Sequence, residues 1–383
     1  MKKKENFQWQ KYFGIILFFL ITGGSGYFIG LYIAKKNLSG VSTSKFFVEI
    51  GAYIILFYVA TVMQIIIHEG GHLIGGLLSG YKFSSFRIFN FMWIKDNDKL
   101  IFKKFSLAGT GGQCLMSPPE FIDEKIPYKL YNLGGAIFNL VVSCIFLGLY
   151  LLWTNIQFLS VFFIIISIIG IAFAIMNGIP MRLAVVDNDG YNALSLGKNS
   201  SALKAFWVQM KVNELLSKEI RIKDMPEELF IIPSDEEMKN SMTATMGVLT
   251  CNRFMDENKF EDAQKLIRKL LDIDTAMVGL HRSLLICDEI YCKAILGNSK
   301  EEIESLLDKE QKKFMKSMKK FPSVLRTQYV YALLVKGDFD KADKIKKEFN
   351  KISITYPYKS DIESEYELIE IADNKYNKVI KWV

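Results

Sequence analysis

The feature that most constrains this chain is an apolar block over residues 130–181 that contains no Asp, Glu, Lys or Arg. A helix needs about 20 apolar residues to cross a bilayer, so this block is long enough for two crossings. The Trp-Thr-Asn sequence at 153–155 has the character of a tight turn, which predicts spans over about 130–153 and 156–177. The chain is therefore expected to be a membrane protein.

Two earlier stretches are also long enough to span, over about 12–34 and 46–78. The first lies between lysine clusters, and its glycine-rich segment at 23–26 lacks the small-residue cleavage site of a signal peptide, so we expect an uncleaved anchor. The second contains no Lys or Arg. The fold class predicted for the whole chain is an α-helical polytopic membrane protein with about four transmembrane helices.

The distribution of Lys and Arg predicts the orientation of these spans. Four lysines precede the first span and eight basic residues fall within 80–129, whereas the segments on the opposite side contain few. Because basic loops stay on the cytoplasmic side, the N-terminus, the 80–128 loop and the C-terminal domain are expected to face the cytoplasm. A composition rich in Lys, Ile and Asn suggests a bacterial cell membrane.

The 80–128 loop is expected to contain a small β-hairpin or sheet. Residues 81–90 and 99–106 are rich in aromatic and β-branched side chains, with a turn sequence at 96–98 between them. Glycines and prolines over 109–119 predict an irregular loop. The loop belongs to a transmembrane domain that we expect to cover residues 1–195.

Residues 196–383 are expected to form a soluble α-helical domain. The first 189 residues carry 16 basic and 10 acidic side chains, and the remainder carry 32 and 31, so neither half is a strongly basic nucleic-acid domain. Turn residues followed by acidic first turns recur at Asn258, Gly297 and Gly337. This pattern resembles degenerate tetratricopeptide-like helical hairpins, which implies a protein partner, although an unrelated helical bundle has similar turns.

The sequence His68-Glu69-Gly70-Gly71-His72 is an H-E-x-x-H motif inside an apolar segment. On a helix, residues four apart lie on one face, so both imidazoles can bind one metal ion while Glu69 takes a proton from water. Satisfied core histidines are the alternative. Ionisable side chains within a span are costly and usually functional, which favours the metal site.

Two histidines do not complete a catalytic zinc site, which usually has three protein ligands. The chain has only one other histidine, His281, and it lies in the soluble domain. A carboxylate must then be the third ligand. The candidates near membrane depth are Glu49, Asp187 and Asp189.

Three elements together resemble the site-2 protease family of intramembrane zinc metalloproteases, over about residues 46–195. They are the H-E-x-x-H motif, Gly135-Ala136-Ile137-Phe138-Asn139, and Asn177-Gly178-Ile179-Pro180 followed by Asp189-Gly190. The resemblance implies one zinc ion per chain, held by His68, His72 and Asp189, with Glu69 as general base. It also implies that Asn139 contacts the substrate strand or the oxyanion, and Asn177 is a further candidate for holding substrate backbone.

This chain departs from the family pattern at several points. Ala136 stands where the family has proline, and the interval from Asn177 to Asp189 is longer than the compact pattern, so Asp187 stays a rival ligand. No PDZ-like insertion is evident. The expected function is hydrolysis of a peptide bond in or near the transmembrane segment of a membrane-bound or small peptide substrate. The alternative is a non-proteolytic membrane protein, with a transport-associated, immunity or scaffold role and a structural or vestigial zinc site.

Overall fold

The computed structural model describes residues 43–96, 99–105, 110–153, 157–181, 187–273, 275 and 277–380, together with seven residues between 16 and 30. The predicted span at 12–34 lies largely outside the described residues. The same holds for the turn predicted between the third and fourth spans, because residues 154–156 are not described.

Three described helices are long and apolar enough to cross a membrane. They are α1 (Thr43–Leu78), α2 (Lys129–Leu152) and α3 (Gln157–Gly178). Each coincides with a predicted span to within a few residues. The structure thus supports three of the four predicted crossings, as expected of a membrane protein.

Small residues let α1 and α2 approach closely. A methyl group added to Gly71 or Gly75 would collide with the backbone of α2, and one added to Gly134 would collide with the backbone of Gly71. Such a small-x-x-x-small spacing is a common basis of helix association in membranes. Elsewhere α1 and α3 share an apolar cluster that includes Tyr53 and Ile166.

The loop after α1 forms a small antiparallel sheet of four strands in the order β3–β2–β1–β4. The strands are β1 (Lys82–Ile88), β2 (Phe91–Asp96), β3 (Lys99–Lys104) and β4 (Gly112–Ser117). Ser85 pairs with Ile94, and Trp93 pairs with Phe102.

The sheet has two strands that the sequence did not predict. β2 is separate from β1 because Phe89 adopts a positive φ of 51°, which turns the chain back without a glycine to signal it. β4 lies where the glycines and prolines predicted an irregular loop. Gly111 precedes β4 and Pro118 follows it, so these residues flank the strand and do not interrupt its centre.

A short helix, α4 (Asp189–Ser195), follows the third spanning helix. Beyond it, the described chain is helical: α5 (Ser200–Ser217), α6 (Ser241–Asp256), α7 (Phe260–Asp272), α8 (Gly279–Leu296), α9 (Lys300–Glu304), α10 (Lys309–Ser317), α11 (Pro322–Val330), α12 (Phe339–Ser353) and α13 (Lys359–Ile380). Several helices begin at polar side chains that cap their first backbone amides, as expected for Asn, Ser and Asp.

The three turn residues that suggested a repeat each adopt a positive φ: Asn258 at 60°, Gly297 at 84° and Gly337 at 63°. Helices α7, α9 and α12 begin two or three residues after them, as predicted. The repeat itself stays a prediction. The core of these helices is a large apolar cluster that includes Leu285 and Phe349.

The chain divides into two compact units. One comprises the chain up to Tyr81 with residues 111–114 and 127–198, and the other comprises residues 82–110, 115–126 and 199–383. The division near residue 198 is close to the expected domain boundary at 195. Most of the 80–128 loop, however, groups with the C-terminal helices, since Trp207 donates a hydrogen bond to the Pro119 carbonyl at 2.9 Å.

Candidate metal centre

One stripe of α1 carries Gln64, His68 and His72, spaced four residues apart. The helical period therefore brings both imidazoles to the same face. Their rings meet edge to face, and the two Nε2 atoms lie 3.1 Å apart. The spacing of the H-E-x-x-H motif thus brings together the two imidazoles that the sequence placed on one helix face.

Asp189, the first residue of α4, brings a carboxylate to this pair. Its Oδ2 atom lies 3.2 Å from Nε2 of His68 and 3.4 Å from Nε2 of His72. Within the described part of the chain, this trio is the one group of His, Cys, Asp or Glu whose ligand atoms could hold a metal ion. Asp187 and Glu49, the rival candidates, are not members of it.

Asn188 fixes the position of Asp189. Its side-chain Oδ1 accepts hydrogen bonds from the backbone amides of Tyr191 and Met181, each at 2.9 Å. Its Nδ2 donates to the carbonyls of Met176 at 2.8 Å and Ile179 at 2.6 Å. This one buried side chain caps α4 and ties it to the end of α3.

Position 190, directly after Asp189, requires glycine for a steric reason. A Cβ atom at position 190 would overlap the backbone carbonyl of Gly178. Only glycine lets α4 approach the end of α3 this closely, so Gly190 permits the contact that brings Asp189 to the two histidines.

The outer nitrogen of His68 is held by a buried amide. Nδ1 lies 2.7 Å from Oδ1 of Asn139. The Nδ2 of Asn139 donates to both the backbone carbonyl and the side-chain Oε1 of Gln64, at 2.9 and 2.7 Å, which determines the orientation of the amide. Because Oδ1 can only accept, Nδ1 of His68 carries the hydrogen.

His72 is held in the same way by a backbone oxygen. Its Nδ1 lies 2.8 Å from the carbonyl oxygen of Tyr131 on α2, so this nitrogen also carries the hydrogen. In each neutral imidazole, Nε2 is then unprotonated and carries a lone pair. Three acceptors, two nitrogens and one carboxylate oxygen, face one another with no hydrogen between them.

This arrangement fits a divalent cation. Ligand atoms bound tetrahedrally about 2.0–2.1 Å from a metal lie about 3.3 Å apart, close to the three separations of 3.1, 3.2 and 3.4 Å. Oδ2 of Asp189 is also buried without a hydrogen-bond donor among the described residues. A cation at the centre of the triangle would satisfy all three atoms.

Glycine also makes room for the imidazoles. A Cβ atom on Gly135 would lie 2.5 Å from Cε1 of His68 and 2.7 Å from Nε2 of His72. Gly135 therefore leaves space on α2 for the two imidazoles. In the sequence analysis, Gly135 was named only as part of the motif at 135–139 and had no role of its own.

Glu69 lies beside the ligands with its side chain 8% exposed. Gly112, at the start of β4, lies directly against it, because a Cβ atom there would come within 2.5 Å of Oε1 of Glu69. Two residues further along β4, the carbonyl of Cys114 accepts a hydrogen bond from the Tyr131 hydroxyl at 2.9 Å. The start of β4 thus lies next to the carboxylate that the sequence assigned as general base.

The structure gives the predicted asparagines different surroundings. Asn139 is fully buried and both its amide atoms are bonded within the protein, which leaves no free atom for a substrate. Asn177 is partly exposed, and its Nδ2 donates to the Phe173 carbonyl of its own helix at 3.0 Å. Among the described residues, its Oδ1 accepts no hydrogen bond.

Sequence reasoning missed Gln64 and Asn188. Gln64 lies one turn before His68, so its place on the ligand stripe could have been found from the helical period. Asn188 was adjacent to the predicted ligand, but its four hydrogen bonds depend on a chain path that no local pattern indicates. Comparison of the chain with family models, curated proteins and solved structures gave no match.

Proposed function

We propose that this protein is an intramembrane zinc endopeptidase that cleaves a peptide bond in or near the transmembrane segment of a membrane-bound or small peptide substrate. The observation that carries the proposal is the triangle of three acceptor atoms from His68, His72 and Asp189, with Glu69 beside it on a membrane-spanning helix. A structural metal site does not need a carboxylate beside the metal. A hydrolytic site needs one as a general base.

Zinc is the proposed ion, one per chain. Two imidazoles and one carboxylate are a typical ligand set for catalytic zinc and leave the fourth position open. The hydrogen bonds from Nδ1 of each histidine to Asn139 and Tyr131 are the outer contacts that usually orient such ligands. Zinc would act there as a Lewis acid that polarises the scissile carbonyl and makes water more acidic.

Glu69 is the proposed general base. It accepts a proton from the water whose oxygen attacks the carbonyl carbon. As the carbon–nitrogen bond breaks, Glu69 returns that proton to the leaving amine. The close contact with Gly112 leaves the carboxylate little freedom to swing away from the ligands.

β4 is the proposed docking edge for substrate. A transmembrane helix protects its peptide bonds by its own hydrogen bonds, so a substrate must unwind before it can be cut. β4 is an edge strand whose first residue lies against Glu69, and an extended peptide can pair with such an edge. Pairing there would present an extended backbone to the base.

The two asparagines are assigned different roles. Asn139 is a positioning residue for His68, because its amide is fully bonded within the protein. This assignment replaces the substrate contact expected from the sequence. Asn177 keeps its proposed role in substrate binding, since its Oδ1 is available to a substrate amide.

We further propose that the N-terminus and the C-terminal domain face the cytoplasm of a bacterial cell, on the basis of the Lys and Arg distribution. The C-terminal helices then provide a surface for a protein partner on that side of the membrane.

The test compares cell membranes incubated with the detergent-purified protein and with its Glu69→Gln variant. New peptide N-termini are labelled and identified by mass spectrometry. The unmodified protein is expected to generate N-termini within or beside transmembrane segments, and Glu69→Gln to reduce their rate of formation by about 10²- to 10⁴-fold.

Glu120→Gln is the matched control, because Glu120 is an exposed glutamate. It is expected to cleave at the normal rate. Equal yields of the same N-termini from the unmodified protein and Glu69→Gln would rule out proteolysis at this site.

A further inference from the structure

The C-terminal unit contains a partly open cavity of about 320 Å³. Five helices surround it: α5, α6, α8, α11 and α13. Its volume is within the range of about 300–1,000 Å³ that is typical of ligand pockets. Apolar side chains such as Leu216, Leu284 and Phe321 form part of its wall.

The charged side chains in the wall are mostly acidic. Asp256, Asp288, Asp361 and Glu365 line the cavity, and Arg326 is the one Lys or Arg among the lining residues. Arg326 is already engaged by two of these acids, since its Nη2 donates to Asp288 at 2.6 Å and its Nε donates to Glu365 at 2.9 Å.

Asp256 is also neutralised from within the protein. Arg221 forms an ion pair with it, and the backbone amide of Lys223 donates to its Oδ2 at 2.9 Å. Asp361 differs, because it has no hydrogen bond or ion pair in the described part of the chain. Burial, followed by the charges of Glu365 and Asp256, raises the pKa of Asp361 to about 7.

Three further polar atoms of the cavity residues lack partners among the described residues: Oγ of Ser360, Nη1 of Arg326 and Nδ1 of His281. All three side chains line the cavity, and Ser360 and Arg326 are only 1% exposed. A buried polar group without a partner destabilises the folded protein. Such groups in the wall of a cavity therefore point to a ligand that would satisfy them.

We propose that this cavity binds a peptide segment that carries a lysine or arginine side chain. The cationic group pairs with Asp361, which has no cation of its own. A backbone carbonyl of the segment accepts from Nη1 of Arg326, and a further backbone group bonds Oγ of Ser360. The aliphatic part of the basic side chain packs on the apolar wall.

A peptide fits better than a small polyamine because of Arg326. Its free Nη1 is a donor and needs an acceptor, which a polyamine does not supply. A peptide offers cation and acceptors together, spaced along one chain. This inference does not rest on the proposed hydrolysis, since the site lies in the C-terminal unit and uses none of the metal-centre residues.

The experiment uses the full-length protein in detergent, as the Glu69→Gln variant so that no probe is cleaved. A labelled pentapeptide, Ala-Leu-Lys-Leu-Ala with blocked termini, is titrated at pH 8 and followed by fluorescence anisotropy. Its analogue with Gln in place of Lys is the neutral probe. The Lys peptide is expected to bind at least about tenfold more tightly.

Asp361→Asn is expected to abolish this preference while the protein stays folded, because the substitution replaces a carboxylate that lacks a counter-charge with an amide of the same shape. Glu363→Gln is the matched control: it removes an exposed charge from the same helix, outside the cavity, and should keep the preference. EDTA should change neither result, which separates the cavity from the metal centre.

Equal affinity for the two peptides, or no binding of either, would overturn the proposal. So would a Lys preference that survives in Asp361→Asn. Spermidine is used as a competitor in the last experiment, because it carries cationic groups but no carbonyl acceptors. If it displaces the Lys peptide at equal concentration, the ligand is not a peptide.

Discussion

The two units of this molecule both bury clusters of acidic and basic groups, but they neutralise them differently. In the C-terminal unit, Arg326 lies between Asp288 and Glu365, so the charges are paired within the protein. Around His68 and His72, the nearest partners of the outer nitrogens are oxygens, and three acceptors converge at the centre.

The difference separates a buried carboxylate whose counter-charge lies within the protein from one that has none. A carboxylate with an arginine in contact has its counter-charge already, whatever its burial. A carboxylate that faces two unprotonated nitrogens has none. The geometry of the hydrogen bonds around the imidazoles, and not the number of acidic residues, therefore distinguishes the proposed metal site from an internal ion pair.

Of the substitutions that test this difference between the two clusters, Gly135→Ala is expected to have the largest effect, a loss of zinc affinity. The added methyl group would lie in contact with both imidazoles and push them out of the triangle. Zinc affinity, measured by competition with a chelator, is expected to fall more than about 100-fold.

Gly148→Ala is the control for this substitution. It adds the same methyl group to the same helix, where nothing lies within 4 Å, and should leave zinc affinity unchanged. Normal zinc binding by Gly135→Ala would mean that the imidazoles do not occupy the positions described.

A smaller effect is expected from Asn139→Ala. Loss of the amide frees Nδ1 of His68 and allows the other tautomer, which points a hydrogen at the metal position. Zinc affinity should fall about 10- to 100-fold in the same assay. Asn132→Ala is matched to it, since Asn132 is also buried on α2 but donates only to the Tyr128 carbonyl one turn earlier. Equal affinities of the two variants would remove Asn139 from the site.

The smallest effect is expected from Asp361→Asn on the stability of the C-terminal unit. The pKa of Asp361 is raised to about 7 in the folded protein, above its ordinary value of 3.8. The folded state therefore holds a proton that the unfolded state releases between about pH 4 and 7, and stability falls as pH rises through that window.

The substitution Asp361→Asn removes this loss of stability, because the amide does not ionise. At pH 8 the variant should be more stable than the unmodified protein by about 1–3 kcal/mol, and its advantage should shrink as pH falls toward 4. Thermal unfolding in detergent at pH 8 and pH 4.5 measures both values. An advantage that does not depend on pH would show that Asp361 titrates normally.

The sequence predicted the parts of the site that a single helix or motif determines. The four-residue spacing of His68 and His72 places both imidazoles on one face of any helix. The apolar runs predicted the spanning helices, and the glycine and asparagine turns predicted the starts of α7, α9 and α12.

Contacts between elements were beyond such patterns. The sequence predicted that Asn139 contacts substrate. Its hydrogen bond to His68 could not be predicted, because that bond depends on how α1 and α2 cross. The strands β2 and β4 were missed because a positive φ at Phe89 and a pairing partner across the sheet leave no local signature. The position of Asp189 beside the two histidines likewise depends on the path of the chain, which Asn188 fixes.

The most direct test of the central claim is the metal content of the detergent-purified protein, measured by mass spectrometry beside Asp189→Ala and Asp187→Ala. We predict about one zinc per chain in the unmodified protein and in Asp187→Ala, and none in Asp189→Ala. Absence of zinc from the unmodified protein after zinc is supplied, or its retention in Asp189→Ala, would contradict the three-ligand site.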